Sequence, residues 1–325
     1  MARVLTGDNM VDSVRKRTMA PDDTSIFTDS DILDIIDEEM NAQVLDKLVT
    51  LHGENLTYSI DIPRNDSGSY DIPYRALGNK LRDVSLVNGS TVFELAQIGI
   101  GELPDYSYGS SSNSYLDKFY VQNNKINLIQ ESRQYTSIRM KYYLRPNFLT
   151  KTEEAGVIAS APVVDDTLGT VTFSLSSVGK NFNSTTMYDI VGFRSPNKIK
   201  AFDLVPVSYT KNGDTGIIVF NKAAIADILD DIIVGDFISL EQQTPVPNIP
   251  TEMHPLLAQA AAVHILEALG DTEALGNADK RMGKMTKAIQ ELIDDRVELA
   301  PKKIKPRHGT LSQSIRSSRN SKGGY

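Results

Sequence analysis

The chain has 325 residues, about twice a typical domain, and is 40% hydrophobic and 23% charged, a composition that supplies a sizeable core and excludes wholesale disorder. It contains no cysteine and four histidines, which excludes disulfide staples, thiolate zinc sites and cysteine nucleophiles and leaves little material for a histidine relay. Its net charge of −8 is uneven: residues 301–325 carry +7 with no Asp or Glu, leaving −15 on residues 1–300.

No apolar run approaches the ~20 residues of a membrane-spanning helix, so no membrane partner is expected. No apolar stretch near the start argues for a secretory signal. Residues 1–27 mix Arg15, Lys16 and Arg17 with Asp22 and Asp23 and show little periodicity, which predicts a flexible leader, mobile or ordered by a partner. Thr28 is a candidate N-cap, and Ile32, Ile35, Ile36, Met40, Val44, Leu48 and Leu51 follow at spacings of three and four, predicting one helix that ends near His52-Gly53.

Beyond Gly53 the period changes from 3.6 to 2. Leu56, Tyr58, Ile60 and Ile62 alternate with polar residues up to Pro63. Residues 81–86 and 92–98 flank Asn88-Gly89, and residues 120–121 and 126–129 flank Asn123-Asn124, which predicts two hairpins. The Tyr/Ser/Gly/Asn stretch at 106–114 between them is a candidate contact loop. In residues 138–144, Ile138, Met140, Tyr142 and Leu144 point one way, while Arg139, Lys141, Tyr143 and Arg145 point the other. That basic stripe either faces DNA or an acidic neighbour, or is a solvated face. Residues 156–240 continue as strands, with a turn at Asn212-Gly213-Asp214 and one short helix at 223–232, which suggests a small barrel or sandwich.

Pro245, Pro247 and Pro250 end the β region. Thr251 then caps a helix that Gly270 stops, apolar on two sides and so expected to pack against two bodies. A last helix runs over 272–296 with Ala278, Met282, Met285, Ile289 and Leu292 as the seam of an antiparallel pair. The fold class expected is therefore α+β: a small helical bundle (N-terminal helix plus C-terminal antiparallel helix hairpin) with a large inserted antiparallel β region. The corresponding organisation is a leader at 1–27, the bundle at 28–55 and 251–300, the β insertion at 56–250 and an extended basic arm at 301–325.

Chemistry is sparse. There is no P-loop or dinucleotide-binding glycine motif, and Gly99-Ile100-Gly101 is too short to be one. His254 and His264 lie roughly 80° apart on one helix, which does not suit a shared metal, and both read as helix-surface or interface residues. Asp165-Asp166, Asp230-Asp231 and Asp294-Asp295 lack the spacing of a calcium loop and read as solvated carboxylates. No catalytic residue, cofactor or metal site is expected. The tail is either a solvated terminus or an arm that orders on an acidic surface or nucleic acid.

Four stretches together resemble a known family: residues 70–84, opening Tyr70-Asp71-Ile72-Pro73-Tyr74-Arg75; residues 141–147, Lys141-Tyr142-Tyr143-Leu144-Arg145-Pro146-Asn147; residues 247–271, with Ile249-Pro250-Thr251-Glu252-Met253-His254-Pro255-Leu256-Leu257; and Pro301-Lys302-Lys303-Ile304. They are similar to head-to-tail connector (adaptor) proteins of tailed bacteriophages, which sit beneath the portal. The resemblance implies a structural virion protein: a homo-oligomeric ring, commonly of twelve copies, that contacts portal, neck and tail proteins while double-stranded DNA passes through. It also implies a C-terminal arm reaching the portal or a neighbouring subunit, here through Lys302, Lys303, Lys305, Arg307, Arg316 and Arg319. Other readings are a different neck or tail-tube ring protein, a nucleic-acid-binding module, or a virion-associated hydrolase using the acidic pairs.

Overall fold

The computed structural model describes residues 4–19, 26–52, 56–102, 118–129, 134–193 and 198–293. The architecture is mixed α+β, with several antiparallel sheets and a few helices that include a C-terminal helix pair. Among the described residues no helix is long and apolar enough to cross a membrane.

The segment expected to be a flexible leader instead carries a helix, α1 (Gly7–Thr18). The Thr6 hydroxyl caps it by accepting the Asn9 N–H. Met10, Val11 and Val14 are buried, and Arg15, Lys16 and Arg17 occupy the last turn, where the helix dipole favours cations. Its polar remainder hides this short apolar face from a periodicity reading.

The helix predicted from Thr28 begins with a capping box between Thr28 and Asp31 and runs as α2 (Asp29–Glu39), a π-turn (Met40–Val44) and α3 (Leu45–His52). The π-turn follows from the sequence. Ile32, Ile36, Met40, Val44 and Leu48 are spaced by fours, and each such step over-rotates an ideal α-helix by about 40°. One wider turn absorbs part of the excess, and all five side chains stay buried.

Thr251 opens a 3-10 turn (Thr251–Met253) rather than capping, and α4 (His254–Leu269) follows, closed by Gly270 in the left-handed conformation. The Asp271 carboxylate accepts the Ala274 N–H at the start of α5 (Thr272–Ile293). The two-sided α4 lies against α1 and α2 as well as α5. Met10, Ile36, Leu48, Leu257, Ile265 and Ile289 thus meet in one core drawn from both ends of the chain. Each such burial contributes about 1.5–3 kcal/mol.

The strands are β1 (Thr57–Pro63), β2 (Ser69–Asp71), β3 (Ala76–Asn88), β4 (Thr91–Glu94), β5 (Ala96–Gln97), β6 (Lys118–Gln122), β7 (Lys125–Leu128), β8 (Ser137–Leu144) and β9 (Phe148–Leu149) in the first half. In the second half come β10 (Gly156–Ile158), β11 (Val163–Asp165), β12 (Thr170–Ser177), β13 (Tyr188–Val191), β14 (Ile199–Leu204), β15 (Pro206–Asn212), β16 (Thr215–Asn221), β17 (Phe237–Leu240) and β18 (Gln243–Thr244). One sheet has the order β1-β8-β3-β4 and a smaller one β2-β7-β6-β5, sharing a core of Tyr70, Phe119, Ile126, Ile138, Met140 and Tyr142. The run predicted as one strand at 92–98 is divided between them, β4 pairing with β3 and β5 lying parallel to β6. The hairpin turns fall where expected, with Gly89, Asn123 and Asn124 at positive φ.

The large sheet runs β14-β13-β17-β10-β12-β16-β15, with β11 attached to β12. Its edge strands β14 and β15 are consecutive in sequence, separated by Val205 alone, so the two edges meet at that residue and the sheet curls around Phe173, Tyr188, Ile190, Ile218 and Phe220. No closed barrel is detected among the described residues, because no hydrogen-bonded ladder joins those edges. The helix expected at 223–232 is a pair of 3-10 turns, Lys222–Ala224 and Ala226–Asp231. The proline-rich linker is packed rather than exposed: Val246 and Ile249 are buried, and the Pro245 carbonyl accepts the Gly7 N–H at 2.8 Å.

Candidate functional site

The arm residues Lys302, Lys303, Lys305, Arg307, Arg316 and Arg319 lie outside the described residues, as do Asp294, Asp295 and the loop at 106–114. Of the remaining acidic pairs, Asp165 accepts the N–H groups of Thr167 and Leu168, Asp166 pairs with Lys222, and Asp230 and Asp231 are exposed. Among the described residues no group of three or more metal-ligating side chains converges.

Two of the three cations of the basic stripe on β8 are neutralised by its own sheet, while Arg145 is exposed. Arg139 makes a two-point contact with Asp61 on β1 at 2.7 Å, and Lys141 reaches Asp83 on β3 at 3.1 Å. The register causes this, since Asp61 and Asp83 stand opposite Arg139 and Lys141 across the ladders. The Asp61 carboxyl is held below the usual carboxylate range by its hydrogen bonds to Arg139.

The histidines divide. His264 contacts Glu39 at 2.9 Å from α4 to α2, which fits an interface residue. His254 is fully buried, contrary to the surface reading. Its Nδ1 accepts the Leu5 N–H at 3.1 Å, so the proton sits on Nε2 and is donated to the Ile249 carbonyl. Burial, and then the charge of Lys198, push its imidazole down to about 4, which keeps it neutral.

The densest constellation of chemistry-bearing groups is a buried node centred on Arg75 and Asp189. Arg75 precedes β3, Asp189 lies in β13, Asp203 in β14, and Asn147 between β8 and β9. The Arg75 Nη2 lies 2.7–2.8 Å from both Asp189 oxygens and 2.7 Å from Asp203, while Nη1 donates to Asn147 at 2.8 Å. Asp189 accepts in addition from Asn147 Nδ2 and from the backbone N–H groups of Asp203 and Gln242. Both of those backbone donors belong to non-glycine residues at positive φ, +56° and +61°. Such conformations cost about 1–3 kcal/mol each and persist where the surroundings fix them.

Burial works against the Arg75 charge, but Asp203 and Asp189 more than offset it and hold the guanidinium above its ordinary range. Burial pushes the Asp189 carboxyl upward, and the charge and hydrogen bonds of Arg75 oppose it. Four donor groups converging on one carboxylate mark the ionised pair as the form this fold is built around. With the Asp189 carboxylate filled and Arg75 and Asp189 buried, the node is a pin between the β1–β8–β3 sheet and the large sheet.

A second link continues from that pin to the helices. Gln243-Thr244 of β18 pair in parallel with Phe148-Leu149 of β9, and the Leu149 N–H donates to the Asp37 carboxyl on α2 at 2.8 Å. Burial, opposed by that hydrogen bond and reinforced by Asp34, pushes Asp37 up to about 7. Lys151, just beyond β9, bridges to Asp29 at 2.8 Å, which also holds Arg15 of α1. Gly7 completes the junction: a Cβ there would lie 2.1 Å from the Thr150 carbonyl oxygen.

Sequence reasoning missed the node, although its trace is present. Asp189 is the only charged residue in the apolar run Tyr188-Asp189-Ile190-Val191, and such a carboxylate needs a buried partner. No protein-family model matches the chain, and comparison with curated proteins returns no match.

Proposed function

We propose that the chain is a structural virion protein, a head-to-tail adaptor that assembles as a ring of about twelve copies between portal and tail and lets double-stranded DNA pass. The observation that supports this reading most is the packing of helices from both ends of the chain into one core, with the β region running out and back between them. That is the plan the resemblance implies, a helical bundle carrying a β elaboration. The pinned junctions support it further, because a ring component under load needs its parts held at fixed angles. The acidic charge of residues 1–300 suits a conduit that does not grip phosphates. In this reading the chain has no catalytic role, and Lys302, Lys303, Lys305, Arg307, Arg316 and Arg319 pair with acidic portal surface.

The rival nucleic-acid reading, which would use the basic arm and the Arg139/Lys141/Arg145 face, loses part of that face to the Arg139–Asp61 and Lys141–Asp83 pairs. Electron microscopy of the purified protein, alone and mixed with its portal, tests the proposal. Rings, or portal recruitment that is lost on deleting residues 301–325, are the expected result. A monomer indifferent to the portal overturns it.

A further inference from the structure

Two exposed helix faces of opposite sign are left without ion-pair partners among the described residues. On α2, Asp31, Asp34 and Glu38 are exposed and fall within about 60° of one another around the axis. Among the described residues neither Asp34 nor Glu38 has a cation within salt-bridge reach, and Asp31 is engaged by the Thr28 cap. On α5, Lys280, Lys284 and Lys287 are likewise exposed and cover a similar arc, a basic patch bounded along the same line by the exposed Glu273 and Glu291. Both helices pack on α4, so both faces turn away from the helical core.

The α5 face carries a second, independent feature. Gly276 and Gly283 lie on the same line as Lys280 and Lys287, and a Cβ at either would meet nothing within 4 Å. Inside an exposed helix each glycine costs about 0.5–1 kcal/mol relative to alanine. Among the described residues nothing uses that space. A helix laid across the face from outside would, because bare backbone permits close axial approach.

We infer that α5 of one copy receives α2 of the next copy, Lys280, Lys284 and Lys287 facing Asp31, Asp34 and Glu38. The two faces are different surfaces of one chain, so the contact is heterologous, and such contacts propagate head to tail until the rotation closes a ring. The inference rests on the ring reading and supplies its subunit contact. Exposed charge pairs give specificity and association rate more than affinity, and salt screens them. The contact therefore weakens as ionic strength rises.

The test uses the full chain and charge reversal. Lys280→Glu/Lys284→Glu/Lys287→Glu makes both faces acidic, and Asp34→Lys/Glu38→Lys makes both basic. Each variant alone is expected to assemble at a concentration at least about tenfold above the unmodified chain by mass photometry at low salt. An equimolar mixture of the two recovers assembly, since every junction is again complementary. Gly276→Leu/Gly283→Leu blocks the close approach without touching charge and is expected to raise the assembly concentration likewise. Circular dichroism melts confirm that each variant is folded. Rings that survive all three variants overturn the α2–α5 contact and leave the ring reading standing. A chain that stays monomeric at every concentration and salt tested, and is also indifferent to the portal, overturns both.

Discussion

Asn in place of Asp37 probes how the helical core is fastened to the β region. Asp37 is 7% exposed and holds the Leu149 N–H with both carboxylate oxygens, at 3.1 and 2.8 Å. Its folded-state pKa of about 7 lies above the ordinary 3.8. The folded form therefore keeps its proton where the unfolded chain has lost it, and its contribution to stability is full below about pH 4 and is lost as pH rises through 7. Three pH units correspond to a ceiling of about 4 kcal/mol. Asp37→Asn keeps a carbonyl oxygen for the Leu149 N–H and removes the titration. The difference in urea-unfolding free energy between variant and unmodified chain is expected near zero at pH 4. It grows to about 2–4 kcal/mol in favour of the variant at pH 8. A difference that is flat from pH 4 to 8, or that favours Asp at pH 8, refutes the reasoning.

Three further outcomes follow from the same junctions. Gly7→Ala places a methyl group against the Thr150 carbonyl, so α1 must shift away; a loss of about 3 kcal/mol or more in urea unfolding is expected, and an unchanged midpoint contradicts it. Arg75→Met leaves Asp189 buried without its cation and costs about 3–5 kcal/mol, and Arg75→Lys recovers only part because a single ammonium cannot reach three partners at once. His254 titrates opposite to Asp37. With its folded pKa near 4, below the ordinary 6.5, stability is present above pH 6.5 and falls by up to about 3 kcal/mol as pH drops toward 4; His254→Gln should flatten that acid limb in matched urea titrations.

What could be read from the sequence is what neighbours in sequence decide. The buried stripe from Ile32 to Leu48, the left-handed Gly270 stop and the turns at Gly89, Asn123 and Gly213 are local events with local causes. The α1 helix was not visible, since Met10, Val11 and Val14 become a face only when α4 arrives to cover them. The division of residues 92–98 between two sheets depends on β6, a separate partner. The Arg75–Asp189 contact spans 114 positions, and no window around either residue contains the other. For the arm, sequence composition remains the basis of the proposal, because those residues lie outside the described structure.

The shared core has a consequence for synthesis. Leu5 meets His254 across 249 positions, and Met10, Ile36 and Leu48 share their core with Leu257, Ile265 and Ile289 of α4 and α5. At a translation rate of about 5–20 residues per second, the first helices leave the ribosome roughly 10–40 s before α4 does. Throughout that interval the apolar stripe lacks its α4 and α5 cover, while α1 can already meet α2 and the strands between can pair among themselves. The shared core cannot close until α4 has been made, so its completion is expected among the last steps of folding.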